Sequence, residues 1–118
     1  MDRISLGRLG ENEAVRSLQG KGLSIVQRNF RCKLGELDIV ARDGPFLVFV
    51  EVRTVTGYSR GTPQESITPK KKRRLRKLAM FFMQYSGLNN TPARFDVIAV
   101  TISRETGVIK LEHIINAF

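Results

Sequence analysis

Apolar and polar residues change their spacing several times along this chain, and each spacing predicts one kind of element. Over residues 6–19 the apolar positions recur at helical spacing, and the glycines of residues 20–22 predict the end of that helix. Ile4, Glu11 and Ala14 fall on the same side of it. We therefore expect Glu11 to lie inside the apolar stripe, where a carboxylate is costly unless it has a partner.

The rest of the chain predicts five strands and a second helix. The strands are expected at residues 23–30, 37–41, 46–55, 95–102 and 108–111. Asp43-Gly44 predicts a hairpin between the second and third strands, and the third is apolar on both faces, which is typical of a central strand. Residues 56–62 predict a loop. Thr68 and Pro69 predict the N-cap and the first turn of the second helix.

The predicted order is α-β-β-β-α-β-β, which favours an α/β fold with one mixed β-sheet and flanking helices. The apolar content of 42% is typical of a chain that buries a core. A length of 118 residues is typical of one domain, so we expect residues 1–118 to form a single domain.

The charge composition narrows the class of partner. Lys and Arg number 20 against 11 Asp and Glu, a formal net charge of +9, which attracts polyanions such as nucleic acid or an anionic membrane surface. The chain starts without a signal-like apolar run, and its longest apolar run, residues 46–50, is too short to span a bilayer. We therefore predict a cytoplasmic protein. With one Cys and one His, any bound metal is expected to be a hard ion with oxygen ligands.

Three carboxylates and one cation lie on the two predicted strands that the hairpin joins. Glu36 and Asp38 share one face of their strand, and Glu51 and Arg53 share one face of the next. An even number of residues in the hairpin loop places all four side chains on one face, whereas an odd number separates the pairs unless a β-bulge restores the phase. Opposed Cβ atoms would then lie about 4.5–5.5 Å apart, close enough for two carboxylates to share a Mg²⁺ ion. A set of salt bridges on a solvated sheet face is the other interpretation.

Five short segments occur in an order and at a spacing that resemble the YraN-like family of small bacterial proteins. They are Gly10-Glu11, Arg28-Asn29-Phe30-Arg31, Gly35-Glu36-Leu37-Asp38, Phe49-Val50-Glu51-Val52-Arg53 and Arg94-Phe95-Asp96-Val97. The resemblance extends to the terminal residues 113–118. That family in turn resembles the archaeal Holliday-junction resolvases and the wider PD-(D/E)xK nuclease superfamily.

This resemblance implies a restriction-endonuclease-like core and a Mg²⁺-dependent attack on DNA phosphates, with Mn²⁺ as a substitute ion. Asp38 and Glu51 match the superfamily's metal-binding acids, and Glu11 matches an acid that resolvase-like members add from the first helix. Arg53 occupies the position of the superfamily's Lys. Because Arg stays charged at any relevant pH, Arg53 is expected to orient water or stabilise a phosphate but not to accept a proton. The accessory candidates are Glu36 and Gln64.

Cations crowd the first two turns of the second helix. They are Lys70, Lys71, Lys72, Arg73, Arg74, Arg76 and Lys77. Positive charge at a helix N-terminus is unfavourable, and no acid lies within this helix to relieve it. A polyanion would relieve it, so we predict that the segment binds nucleic acid, with DNA favoured. A solvated charged face is the alternative.

The favoured hypothesis is a metal-dependent endonuclease that hydrolyses DNA phosphodiesters. The resolvase resemblance points to branched or otherwise structured DNA and to a homodimer. One alternative is a nuclease-fold module that binds nucleic acid, RNA included, without turnover. Another is a basic adaptor that meets acidic proteins.

Several other side chains are expected to be structural. We predict that Asp96 pairs with Arg94 or another cation and that His113 has a surface or capping role. Helical spacing predicts core packing rather than base stacking for the aromatic residues Phe81, Phe82 and Tyr85.

Overall fold

Two helices pack against a five-stranded mixed sheet. The structure is a computed structural model, and it describes residues 2–56, 67–103 and 105–118. In chain order the elements are α1 (Arg3–Gly20), β1 (Ser24–Cys32), β2 (Gly35–Asp43), β3 (Phe46–Thr56), α2 (Pro69–Tyr85), β4 (Ala93–Ser103) and β5 (Gly107–Ile114). This order confirms the predicted α-β-β-β-α-β-β arrangement, which is compatible with a restriction-endonuclease-like core. Beyond Thr56, the loop predicted at residues 56–62 lies outside the described residues.

The strands lie in the sheet in the order in which they occur in the chain. β3 and β4 are parallel, with α2 between them in the chain, whereas the other neighbours are antiparallel. β3 is therefore central, and its residues 47–50 are buried, as predicted. The β2–β3 hairpin pairs Asp43 with Phe46 and leaves a two-residue turn in which Gly44 has φ +57°. The loop length is thus even, the condition under which the four charged side chains were expected to share a face.

α1 buries one row of small and apolar residues against the sheet. The buried residues are Leu6, Gly10, Ala14 and Leu18. Glu11 is half-buried at the flank of this row, and Ile4 is exposed. The predicted side is therefore right for Ala14 but wrong for Ile4 and Glu11, because the residues that face the sheet follow the i, i+4 row through Gly10.

Gly10 lets the backbone of α1 approach β3 directly. A Cβ atom at this position would overlap the side chain of Thr54, with its Oγ1 as the nearest atom. Only a residue without a side chain fits this close approach. The contact also fixes Glu11, the next residue of α1, beside the sheet.

α2 covers the opposite face of the sheet. Thr68 caps it by accepting a hydrogen bond from the Lys71 N–H (3.1 Å), and a proline begins its first turn, as predicted. Its buried residues are Leu75, Leu78, Ala79 and Phe82. The core prediction is confirmed for Phe82 but is wrong for Phe81 and Tyr85, which are 42% and 74% exposed. These two rings lie on the outward side of α2, beside Phe30 of the edge strand β1. No helix in the described ranges is long and apolar enough to cross a membrane.

Asp96 of β4 anchors the C-terminal part of the chain from inside the protein. It is fully buried, and its carboxylate accepts hydrogen bonds from Arg94 Nε (3.1 Å) and the Asn116 N–H (2.9 Å) and contacts His113 Nε2 (2.8 Å). Burial raises the pKa of Asp96, but the hydrogen bonds from His113, Arg94 and Asn116 outweigh it and lower that pKa. The predicted Asp96–Arg94 pair is confirmed. A surface role for His113 is wrong, because its side chain is buried against Asp96.

We expect Gly10→Ala to destabilise the protein by about 1–3 kcal/mol, because the added methyl group collides with Thr54. Urea unfolding followed by circular dichroism measures the loss. Adding Thr54→Ala to Gly10→Ala removes the colliding Oγ1 and should recover part of the stability. If the double variant is no more stable than Gly10→Ala, the close approach of α1 to β3 is not the cause.

Candidate active site

Asp38 stands where the β2–β3 ladder ends. The last paired residues of that ladder are Ile39 and Val50, and Asp38 is the next residue of β2. Its Oδ2 accepts a hydrogen bond from the Val52 N–H at 2.9 Å. A side-chain oxygen thus replaces the backbone carbonyl that a continuing ladder would supply, and the carboxylate is held between the two strands.

In β2, the alternation of side chains between the two faces of the sheet is interrupted at Asp38. Leu37 packs in the core on the α2 side of the sheet, whereas Ile39 packs on the α1 side. Asn29 of β1, which lies opposite Asp38 in the register, has φ +52°, a left-handed conformation that Asn tolerates better than most residues. The regular alternation that places Glu36 and Asp38 on one face therefore does not hold at this point.

Glu51 of β3 faces α2, where a cation meets it. Lys71 Nζ lies 3.1 Å from Glu51 Oε1, and the two side chains are only 24% and 11% exposed. Because the pair is largely shielded from water, its attraction exceeds that of an ordinary surface salt bridge. The structure thus gives Lys71 a contact inside the carboxylate site, although its position in the sequence assigns it to the basic segment.

A small pocket beside Asp38 and Glu51 has mainly apolar walls. These walls are formed by Leu37, Phe49, Val50, Leu75, Phe95 and Phe118. Phe95 and Phe118 stack at 5.0 Å between ring centroids, so the end of the chain closes one side of the pocket. Apolar walls remove water from the carboxylates and make their ionisation more costly.

Burial and neighbouring negative charge raise the pKa of Asp38 to about 7. Burial is the largest cause, and the charge of Glu51 is the next. The hydrogen bond from Val52 acts in the opposite direction, and the charges of Glu11 and Glu36 raise the pKa further. Three other acids therefore act on Asp38, and a cation placed among them would favour its ionised form.

Asn29 ties Glu11 and Glu36 together at the edge of this site. Its Nδ2 donates to Glu11 Oε1 at 2.8 Å and to Glu36 Oε1 at 2.9 Å. Arg31 Nε adds a salt bridge to the second oxygen of Glu36 at 3.0 Å. The partner that the sequence predicts for Glu11 is therefore an amide, and this amide brings the acid of α1 beside an acid of β2.

Arg53 follows Glu51 by two residues on β3, so the two side chains leave the strand on the same face. Arg53 is half-buried and pairs with Ala99 of β4 in the parallel ladder. Its side chain thus leaves β3 two residues beyond Glu51. Gln64 lies outside the described residues.

The carboxylates fit a metal held by few protein ligands. In the part of the chain that the structure describes, no three His, Cys, Asp or Glu side chains are arranged to hold a metal ion. Mg²⁺ commonly takes only one or two carboxylates and completes its shell with water and phosphate oxygens, so a site at Asp38 and Glu51 stays a prediction. The ammonium of Lys71 already shows that Glu51 accepts a cation. Direct ligation by Glu11, which is bound to Asn29 here, stays a prediction.

The other predicted nucleic-acid contacts divide into two groups on α2. Lys72 turns towards the protein, with Nζ 5.7 Å from the centre of the Phe118 ring. The exposed group consists of Lys70, Arg73, Arg74, Arg76 and Lys77. These five cations form a positive surface on the same helix that supplies Lys71 to the carboxylates.

Sequence reasoning missed two contacts of this site. Asn29 is uncharged and is not part of a periodic pattern. Only its place inside the Arg28-Asn29-Phe30-Arg31 segment indicates a functional position. Lys71 is hidden among six neighbouring cations, and only the direction of its side chain distinguishes it from them.

Residues 10–100 match the sequence profile of the uncharacterised protein family UPF0102, a range that includes the carboxylates and Lys71. The chain is 54% identical over 116 residues to a UPF0102 protein of Pelotomaculum thermopropionicum, covering 98% of this chain and 97% of the relative. It is 49% identical over 117 residues to one of Geotalea uraniireducens, covering 99% and 91%. A Moorella thermoacetica relative is 45% identical over 118 residues, covering 100% and 98%.

In the absence of metal, we expect the protein to lose stability as the pH rises from about 4 to about 7. An unfolded Asp releases its proton near pH 3.9, whereas folded Asp38 keeps its proton up to about pH 7. Below both values the proton is bound in both states. Above both values the folded state carries a disfavoured charge that costs on the order of a few kcal/mol.

Asp38→Asn should flatten this dependence and be more stable than the parent above pH 7, because the amide oxygen still accepts the Val52 N–H. Urea unfolding in EDTA across this range measures the effect, and Glu13→Gln on the surface of α1 is the matched control. Parallel pH profiles for Asp38→Asn and the parent would contradict the raised pKa.

Proposed function

We propose that this chain, which belongs to the uncharacterised protein family UPF0102, is a metal-dependent endonuclease that hydrolyses DNA phosphodiesters. Its family confirms the predicted resemblance to YraN-like proteins. The observation that supports the activity best is the meeting of Asp38, Glu51 and Lys71 at the end of the β2–β3 ladder. Half-buried acids that meet at one point, one of them with a strongly raised pKa, favour a functional site.

Asp38 and Glu51 are the residues that would hold Mg²⁺, or Mn²⁺ in its place. When bound, the ion would activate water and neutralise charge at phosphorus. The raised pKa of Asp38 supports this assignment, because burial and the charge of Glu51 disfavour its ionised form, which a bound cation would favour. Glu11 and Glu36 would add negative potential from the position where Asn29 holds them.

Two cations of different kinds would act on the phosphate. Arg53 stays charged and would stabilise negative charge at phosphorus, as its place beside Glu51 on β3 favours. Once Glu51 binds the metal ion, its carboxylate is shared between the ion and Lys71. The ammonium of Lys71 would then turn to a phosphate oxygen. The site would therefore keep a flexible Lys, supplied by α2, although Arg53 occupies the Lys position of the strand.

The exposed cations of α2 would hold the DNA backbone next to the site. Phosphate contacts of this kind give an affinity that falls steeply with added salt. The Lys71–Glu51 contact joins this surface to the acids, so a backbone bound along α2 passes close to them.

A nuclease-fold module that binds nucleic acid without turnover is the second candidate. The Lys71–Glu51 ion pair favours it, because that pair already neutralises Glu51 without any metal. Binding of DNA without cleavage in Mg²⁺ or Mn²⁺ would support this module.

We expect Glu51→Gln to reduce Mg²⁺-dependent cleavage by about a hundredfold or more, because the variant keeps the shape of the side chain but loses a charged ligand. Junction, flap and linear DNA are the substrates, and product formation on denaturing gels is the measurement. Glu13→Gln, which changes an acid of α1 that pairs with Arg16, should cleave as the parent does. Undiminished cleavage by Glu51→Gln would remove the catalytic assignment.

Lys71→Met should slow cleavage and at the same time tighten Mn²⁺ binding by a few-fold, because the ammonium no longer competes for Glu51. Calorimetric titration with Mn²⁺ measures the affinity, and single-turnover cleavage measures the rate. Lys70→Met, one residue away and exposed, should leave Mn²⁺ affinity unchanged and lower only DNA affinity. Weaker Mn²⁺ binding in Lys71→Met would show that the two cations do not compete.

A further inference from the structure

The outward face of α2 carries exposed aromatic rings in line with its cations. Arg73, Lys77, Phe81 and Tyr85 follow one another at four-residue intervals, so their side chains form one stripe along the helix. All four are exposed. From Arg73 to Tyr85 the stripe is about 18 Å long, roughly the length of five stacked nucleotides.

The two rings are held parallel by the edge of the core. The centres of the Phe81 and Tyr85 rings lie 6.4 Å apart with an interplanar angle of 8°. Both rings also contact Phe30 of β1, at centroid distances of 6.1 and 5.9 Å. Phe30 itself packs edge-on against buried Phe82 at 5.1 Å. The rings are thus supported from below while much of their surface faces solvent, and little freedom is lost when a partner stacks on them.

We propose that Phe81 and Tyr85 form a stacking platform for unpaired bases of single-stranded DNA whose backbone follows the cations of α2. The faces of paired bases are covered by their neighbours inside a duplex, so a protein ring can stack only on a base that is unpaired. Proteins that bind single strands combine cations that contact the backbone with aromatic rings on which bases stack, and this stripe places two cations next to two rings. The inference rests on the proposed function for the choice of DNA, and it adds a substrate class: DNA with a single-stranded segment.

Charge argues against a second copy of the chain as the occupant of this stripe. α2 contains no Asp or Glu, and the protein has a formal net charge of +9. Two copies meeting through this face would bring their α2 cations together, which is repulsive. A polyanion with flat apolar bases complements both the cations and the rings.

The test is fluorescence anisotropy in EDTA at low salt, with an oligothymidine of about 12 nucleotides and a duplex of equal length. Tyr85→Leu and Phe81→Leu keep an apolar cover over Phe30 but remove one ring face. Each should weaken binding of the oligothymidine by about five- to a hundredfold and change binding of the duplex by less than about twofold. Tyr85→Phe should bind both DNAs as the parent does. Thermal melting of each variant verifies that it is folded.

Met80→Leu is the matched control, since Met80 is 62% exposed on a different side of α2 and should tolerate the change without effect on either DNA. Unchanged single-strand binding by both Leu variants, or an equal loss on duplex and single strand, would overturn the platform. So would sedimentation that finds a dimer of the parent and a monomer of Tyr85→Leu, which assigns the stripe to a second copy.

Different results would contradict the stacking platform and the proposed nuclease activity. If the parent binds oligothymidine through Tyr85 but cuts no DNA in Mg²⁺ or Mn²⁺, the platform stands and the proposed function fails. If the parent cuts DNA but the Leu variants bind oligothymidine unchanged, the proposed function stands and the platform fails.

Discussion

The hydrogen bond from the Val52 amide to Asp38 is the interaction on which the site depends. It holds a carboxylate between two strands at the point where their ladder stops, against the desolvation that burial imposes. A carboxyl group in that position is stabilised in one of three ways: by protonation, by a nearby cation, or by a hydrogen bond to its ionised form. The charges of the neighbouring acids make ionisation of Asp38 still less favourable.

The remaining parts of the site converge on this point from three elements. Gly10 brings α1 onto β3 and thereby sets Glu11 at the sheet, while the left-handed turn at Asn29 lets one amide hold two acids. From the other face, α2 reaches Glu51 with Lys71, whereas most of its other cations are exposed. The basic surface of α2 therefore lies next to a half-buried acidic centre, a charge distribution that favours the proposed reaction on a polyanion.

Local patterns predicted most of the architecture. The β2–β3 hairpin, the N-cap at Thr68 and the central place of β3 all follow from turn chemistry and from burial on two faces. Errors arose where a residue sits between two environments. Glu11 lies at the flank of the buried row, and Phe81 and Tyr85 lie on the rim of the core, where helical spacing alone does not separate a covered ring from an exposed one.

By itself, the sequence determined the order of elements, the excess of positive charge, the position of the acids on neighbouring strands and the pairing of Asp96 with Arg94, because periodicity, turn residues and composition are local properties. Only the tertiary structure decided that Asp38 caps the end of a ladder, that Asn29 joins Glu11 to Glu36, and that one Lys among seven cations turns inwards to Glu51. Those contacts depend on the twist of the sheet and on how closely each helix approaches it, and both are set by packing between residues far apart in the chain.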